Sequence, residues 1–132
     1  MSIFDSYVRK HDFLVCIDSD GCVMDTMNCK HFHCFGPCMI TEWGLEEWHE
    51  EILQRWNVIN LFSMTRGINR FKGLAMALKE LDGKYKKIIG VDALVRWANT
   101  APALSNEGAA KAAAEAADAD AKLVLEKALS WS

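Results

Sequence analysis

Five of the six residues from Phe13 to Asp18 are apolar, and the run ends in two carboxylates, Asp18 and Asp20, spaced two apart and followed by Gly21. So short a continuous apolar stretch reads as a strand buried on both faces, the pattern of a parallel sheet. Open sheets of this kind collect ligands at the C-terminal ends of their strands. Where the chain is still extended, side chains two apart point the same way, so Asp18 and Asp20 can serve one site. Gly21 permits a turn that a Cβ resists and lets the backbone pass close to a ligand. Paired carboxylates suit a hard, octahedral cation such as magnesium, which leaves room for substrate phosphate and water. One carboxylate can instead attack phosphorus while its neighbour handles protons. The ordinary alternative is that these acids form a turn and cap the following helix.

The longer segment Asp18-Ser19-Asp20-Gly21-Cys22-Val23-Met24-Asp25-Thr26 resembles the first motif of the haloacid dehalogenase superfamily. That motif is a strand, then Asp-x-Asp-Gly, then in many phosphatase and phosphomutase members an Asp-Thr or Asp-Ser pair. The resemblance implies an α/β parent fold with a Rossmann-like core. It also implies Asp18 as nucleophile and magnesium ligand, Asp20 as general acid/base and metal ligand, and Asp25-Thr26 where the chain leaves the core for a helical cap. The implied reaction is magnesium-dependent hydrolysis of a small phosphorylated metabolite through an aspartyl phosphate, with water activated by Asp20. To assist the leaving group Asp20 must be protonated well above the free aspartate pKa of about 3.9. The site would therefore have to raise it.

A chain of 132 residues suits one domain, and is shorter than such a core and cap together. The resemblance thus divides it into residues 1–27, the first strand and acid motif of the core, and residues 28–132, a helical cap, with the chain stopping before the rest of the core. By that division the chain itself is mostly α-helical with one N-terminal core strand. No convincing later acidic pair follows an apolar strand; Ser63 and Thr65 are weak candidates for a phosphate-holding hydroxyl. Turnover by this chain alone is therefore expected to be weak or absent.

After Pro37 the sequence reads as helices. Trp48, Ile52, Trp56 and Ile59 recur at helical spacing and form a core-facing stripe, leaving Glu46, Glu47, Glu50 and Glu51 to solvent. A second helix spans Asn69 to Leu81 with Phe71, Leu74, Ala75 and Leu78 inward, stopped at Gly83. A third covers Asp92 to Asn99, with Asp92 as N-cap, and ends ahead of Pro102. Residues 105 to 130 form the longest helix, capped by Ser105 and carried by alanine. Between the first two, Arg66 and Arg70 lie four apart. Guanidinium groups bind phosphate or carboxylate through paired donors, so both are candidates to reach an anionic substrate; the ordinary alternative is ion pairing with nearby glutamates.

Charged residues make up 25% and the formal net charge is −3, which argues against a nucleic-acid surface and against disorder. No apolar segment approaches the roughly 20 residues needed to cross a bilayer, and the cytoplasm is the expected location. Two rival functions remain. Cys16, Cys22, Cys29, Cys34 and Cys38 gather in the first third with His31 and His33, and Cys29 with His33 could form half of a zinc site. Cys34 and Cys38 complete it only if Gly36-Pro37 turns the chain back. Alternatively the chain is a non-catalytic helical interaction fragment, which predicts homo-oligomers through the cap or sheet-edge surface.

Overall fold

From Met27 onward the chain is built of helices. The computed structural model describes Ser6 and residues 8–132; residues 1–5 and Tyr7, on which the unit 1–27 begins, lie outside the described residues. Helix α1 (Met27–Cys29) runs into a π-helical stretch, Lys30–Phe35, and on into α2 (Gly36–Trp43). A 3₁₀ turn at Glu46–Trp48 leads to α3 (His49–Leu61), then α4 (Arg70–Leu81), α5 (Val91–Thr100), α6 (Asn106–Ala114) and α7 (Ala119–Trp131).

Among the described residues there is no strand and no sheet, and the ladder-like contacts are two isolated bridges, Asp20 to Met24 and Asp82 to Lys86. The expected α/β core with its N-terminal strand is therefore corrected. Phe13, Leu14, Val15 and Ile17 are 89, 86, 78 and 71% exposed. A strand needs a neighbour to pair its N–H and C=O groups. Here the sequence after Thr26 carries helical rather than alternating periodicity, so the described residues supply no such partner.

The core lies among the helices. Ile52, Trp56 and Ile59 on α3 are at most 2% exposed, as are Phe71, Leu74 and Leu78 on α4, so these parts of the expected stripes face inward, while Trp48, expected on the same stripe, lies in the 3₁₀ turn and is half-buried. Trp131 near the chain end joins them: its ring lies 5.8 Å from that of Trp56, edge-on, and 6.4 Å from that of Phe71. Met39 and Ile40 of α2, Leu94 of α5 and Val124 of α7 complete the same cluster. Glu46, Glu47, Glu50 and Glu51 are exposed, as expected.

The π-helical stretch has a local cause. Pro37 stands in the first turn of α2; it has no N–H to give to a carbonyl one turn back, and its ring crowds that carbonyl. Widening the preceding turn relieves the conflict, and single π turns of this kind commonly occur at functional sites. Gly36 fixes where the turn packs. A Cβ there would fall 2.5 Å from Leu53 Cδ1 and 2.8 Å from the His31 carbonyl oxygen, so only glycine lets this helix approach α3 so closely.

Two helix boundaries differ from expectation. Asn69 caps α4 by accepting from the Phe71 N–H, but α5 starts at Val91 behind Gly90 in a left-handed conformation, and Asp92 lies in its first turn, ion-paired to Lys79. The single helix expected over 105–130 is two. Ser105 caps α6 through the Gly108 N–H, and Asp118 caps α7 through the Ala121 N–H. Folding α7 back against α6 buries Ala109, Ala113, Val124 and Ala128, more apolar surface than one straight helix could cover. No helix among the described residues is long and apolar enough to cross a membrane.

Candidate active site

The acid motif sits in a closed turn ahead of α1. Gly21 donates to the Met24 carbonyl at 3.0 Å and Met24 donates back to the Ser19 carbonyl at 2.9 Å. Gly21 has φ +75°, a left-handed conformation that glycine adopts without strain. Asp18 and Asp20 are both exposed. The Cys22 thiol lies 3.9 Å from Asp18 Oδ2, a weak donor to it.

Asp20 is held at both oxygens. The Thr26 hydroxyl donates to Oδ1 and the Lys30 ammonium to Oδ2. Hydrogen bonding from Lys30, then from Thr26, holds the Asp20 carboxyl below the usual carboxylate range. The requirement that its pKa be raised is thus not met in this arrangement: Asp20 is an ionised acceptor here. Thr26 and Lys30 are four apart, and the Lys30 N–H donates to the Thr26 carbonyl at 3.0 Å. They share one helical turn and face the same way.

Beside Lys30, His31 is 7% exposed, its ring 5.7 Å from Phe35 and 5.8 Å from Trp56, and its Nδ1 has no hydrogen-bond partner. Burial, with the nearby Lys30 and Arg66 charges, pushes its pKa down. Asp20 contacts Lys30, and the buried His31 follows Lys30 in the chain, so the acid motif meets the helical unit at this turn. Sequence reasoning missed Lys30 and read His31, with His33, as part of a zinc cluster rather than as a buried ring. The signal for Lys30 was available, since it is the sole lysine or arginine between Lys10 and Arg55.

Arg66 and Arg70 are not a matched pair. Gly67, at φ +77°, separates them, leaving Arg66 in a turn and Arg70 at the start of α4. Arg66 Nη1 donates to the Leu61 carbonyl at 3.0 Å. Arg70 Nη2 donates to Asn106 Oδ1 at 2.6 Å, and its guanidinium stacks 4.8 Å from the Phe71 ring centre. Neither makes an ion pair with a glutamate among the described residues. The hydroxyls of Ser63 and Thr65 pair with one another at 2.7 Å and gather on the Ile59 carbonyl, which closes the end of α3. An apolar groove of about 450 Å³ between α4 and α5 is lined by Ile68, Lys72, Met76 and Val95 among others, and by neither arginine.

Gly36-Pro37 continues the helix, so Cys34 and Cys38 are not turned back toward Cys29 and His33. All five cysteines are exposed and free. Among the described residues no three His, Cys, Asp or Glu side chains converge on a metal-holding position. No family profile, no curated protein and no solved structure matches this chain.

Proposed function

We propose that this chain carries the nucleophile corner of a haloacid dehalogenase-type phosphatase acting on a small phosphorylated metabolite. One observation supports this over the ordinary alternative for such acids. Thr26, the residue at the N-cap of α1, makes no side-chain capping bond, and the carboxylates of Asp18 and Asp20 accept from the Cys22, Thr26 and Lys30 side chains rather than from a helix N–H among the described residues. Both side chains are exposed, where a substrate can reach them.

In the proposed reaction an Asp18 oxygen attacks phosphorus and the phosphorus–oxygen bond to the leaving alkoxide breaks. Water then attacks the phosphoaspartate, releasing inorganic phosphate and regenerating the Asp18 carboxylate. Asp20, ionised beside Lys30 and Thr26, is suited to take the proton from that water. To donate a proton to the leaving group it must first part from those two partners. The donor set of two exposed carboxylates is of the hard-oxygen type that magnesium accepts together with water and phosphate, and Asp18 and Asp20 are the residues that would hold the ion. Bound there, magnesium would screen the charge between Asp18 and the phosphate.

The test is phosphate transfer to Asp18. The chain incubated with magnesium and a small phosphomonoester or acyl phosphate should gain one phosphoryl group on Asp18, labile to hydroxylamine, by mass spectrometry. Asp18→Asn should lose it. Absence of the adduct in the native chain, or the same adduct in Asp18→Asn, would remove the nucleophile assignment.

A further inference from the structure

We infer that the groove between the π-helical stretch and α3 binds a small organic amine, in its ammonium form, with an apolar body. None of the groove's lining residues belongs to the acid motif, so the inference does not rest on the phosphatase reading.

The groove follows from local packing. On α3, Glu50, Leu53 and Asn57 recur at three and four and so lie along one flank, beside the core stripe. Gly36, packed on Leu53, brings the π-helical stretch up to that flank. Phe32 of that stretch meets Phe62, the residue that ends α3, edge to face with ring centres 6.4 Å apart. The groove so formed has a volume of about 540 Å³ and takes its apolar lining from Phe32, Leu53, Val58 and Phe62, a size and character that suit a small-molecule site.

Two further observations define the occupant. Asn57 lines the groove and is 4% exposed, yet its Oδ1 has no hydrogen-bond partner. Of the lining residues it alone carries such an atom. Buried amide oxygens ordinarily accept from a donor, and an N–H of a bound molecule supplies one. The charge at the groove is also of one sign. Glu50 and Glu51 line it and no lysine or arginine does. Neither carboxylate is ion-paired among the described residues, although Glu51 accepts from the Tyr85 hydroxyl at 2.9 Å. An ammonium is drawn to such a margin and is favoured again over the face of an aromatic ring. The apolar body covers Phe62, which is 65% exposed. A carboxylate in place of the ammonium gains none of these contacts.

Phenethylamine is the probe, with phenethyl alcohol as its uncharged analogue and hydrocinnamate as its anionic one. Proton–nitrogen correlation spectra of the full chain are recorded at neutral pH as each is added to the native chain, Asn57→Leu, Asn57→Ala, Glu50→Gln and Glu46→Gln, with circular dichroism to establish that each variant is helical. Phenethylamine should saturate in the millimolar range and move the backbone N–H signals of Phe32, Val58 and Phe62. Phenethyl alcohol should bind on the order of threefold more weakly, the worth of an exposed charge pair, and hydrocinnamate should leave those signals in place. Asn57→Leu should lose affinity for the amine about fivefold, the range of one hydrogen bond, and Asn57→Ala reads the same loss should leucine disturb the helix. Glu50→Gln should lose about threefold, while Glu46→Gln, an exposed acid outside the groove, should bind as the native chain does. Equal affinity for the amine and hydrocinnamate, or native affinity in the folded Asn57 variants, would overturn the inference. So would a loss in Glu46→Gln as large as that in Glu50→Gln, shifts centred on the groove between α4 and α5, or no saturable shift at all.

Discussion

Trp131 Nε1 donates to the Phe35 carbonyl at 2.9 Å, across 96 positions of sequence, and the two rings lie 5.3 Å apart. This ties the last turn of α7 to the last residue of the π-helical stretch that begins with Lys30. The packing of that stretch thus includes a contact made from α7, far along the chain.

Loss of the Trp131 anchor should be costly and graded. Trp131→Phe keeps much of the apolar surface but leaves the Phe35 carbonyl without its donor, at about 1 kcal/mol. Trp131→Ala also opens a cavity beside Trp56 and Phe71, at about 3–5 kcal/mol. Urea unfolding followed by circular dichroism measures both, and a Trp131→Ala loss no larger than that of Trp131→Phe would contradict the packing described.

Gly36→Ala should destabilise the chain although alanine is the better helix former. Intrinsic propensity favours alanine by about 1 kcal/mol. The new Cβ would meet Leu53 Cδ1 at 2.5 Å and a backbone oxygen at 2.8 Å, and overpacking of this kind costs about 1–3 kcal/mol. The sign of the change in unfolding midpoint decides: an alanine variant as stable as the native chain would mean that α2 does not approach α3 so closely.

Stability should fall with acid through His31. Its pKa is lowered in the folded chain, first by burial and then by Lys30 and Arg66, so the folded state favours the neutral ring. The contribution is fully present above the ordinary histidine pKa of about 6.5 and is lost as pH falls below it toward the depressed folded value. Thermal melts at pH 7.5 and pH 5.5 should differ more for the native chain than for His31→Leu. Identical pH dependence in both would show that His31 is not the group responsible.

How far the sequence foretold this structure differs from element to element. The α3 and α4 stripes were legible because Trp56, Ile59, Phe71 and Leu78 repeat at the spacing of one helix face, whereas the Asn69 cap of α4 emerged only in the structure. The break at Glu115–Asp118 was not, because alanine propensity is uniform along the run and the fold-back is favoured by tertiary burial. Asp118 was the available sign. The segment Phe13–Ile17 was correctly read as apolar, but a strand is a property of two segments, and one segment cannot reveal whether the other is present. Within the candidate site, the acids were visible from their spacing. The Lys30–Asp20 contact was not, since residues ten apart meet only through the particular turn that Gly21 and Thr26 create.

The exposure of Phe13, Leu14, Val15 and Ile17 has a colloidal consequence. An uncovered, proline-free apolar stretch is the sort of segment that recruits copies of itself, and flanking charges act as gatekeepers against it. Here the flanks are Arg9, Lys10 and Asp12 on one side and Asp18 and Asp20 on the other. The carboxylates proposed for chemistry thus also stand where gatekeepers stand, and neutralising either one should lower the concentration at which the chain stays dispersed.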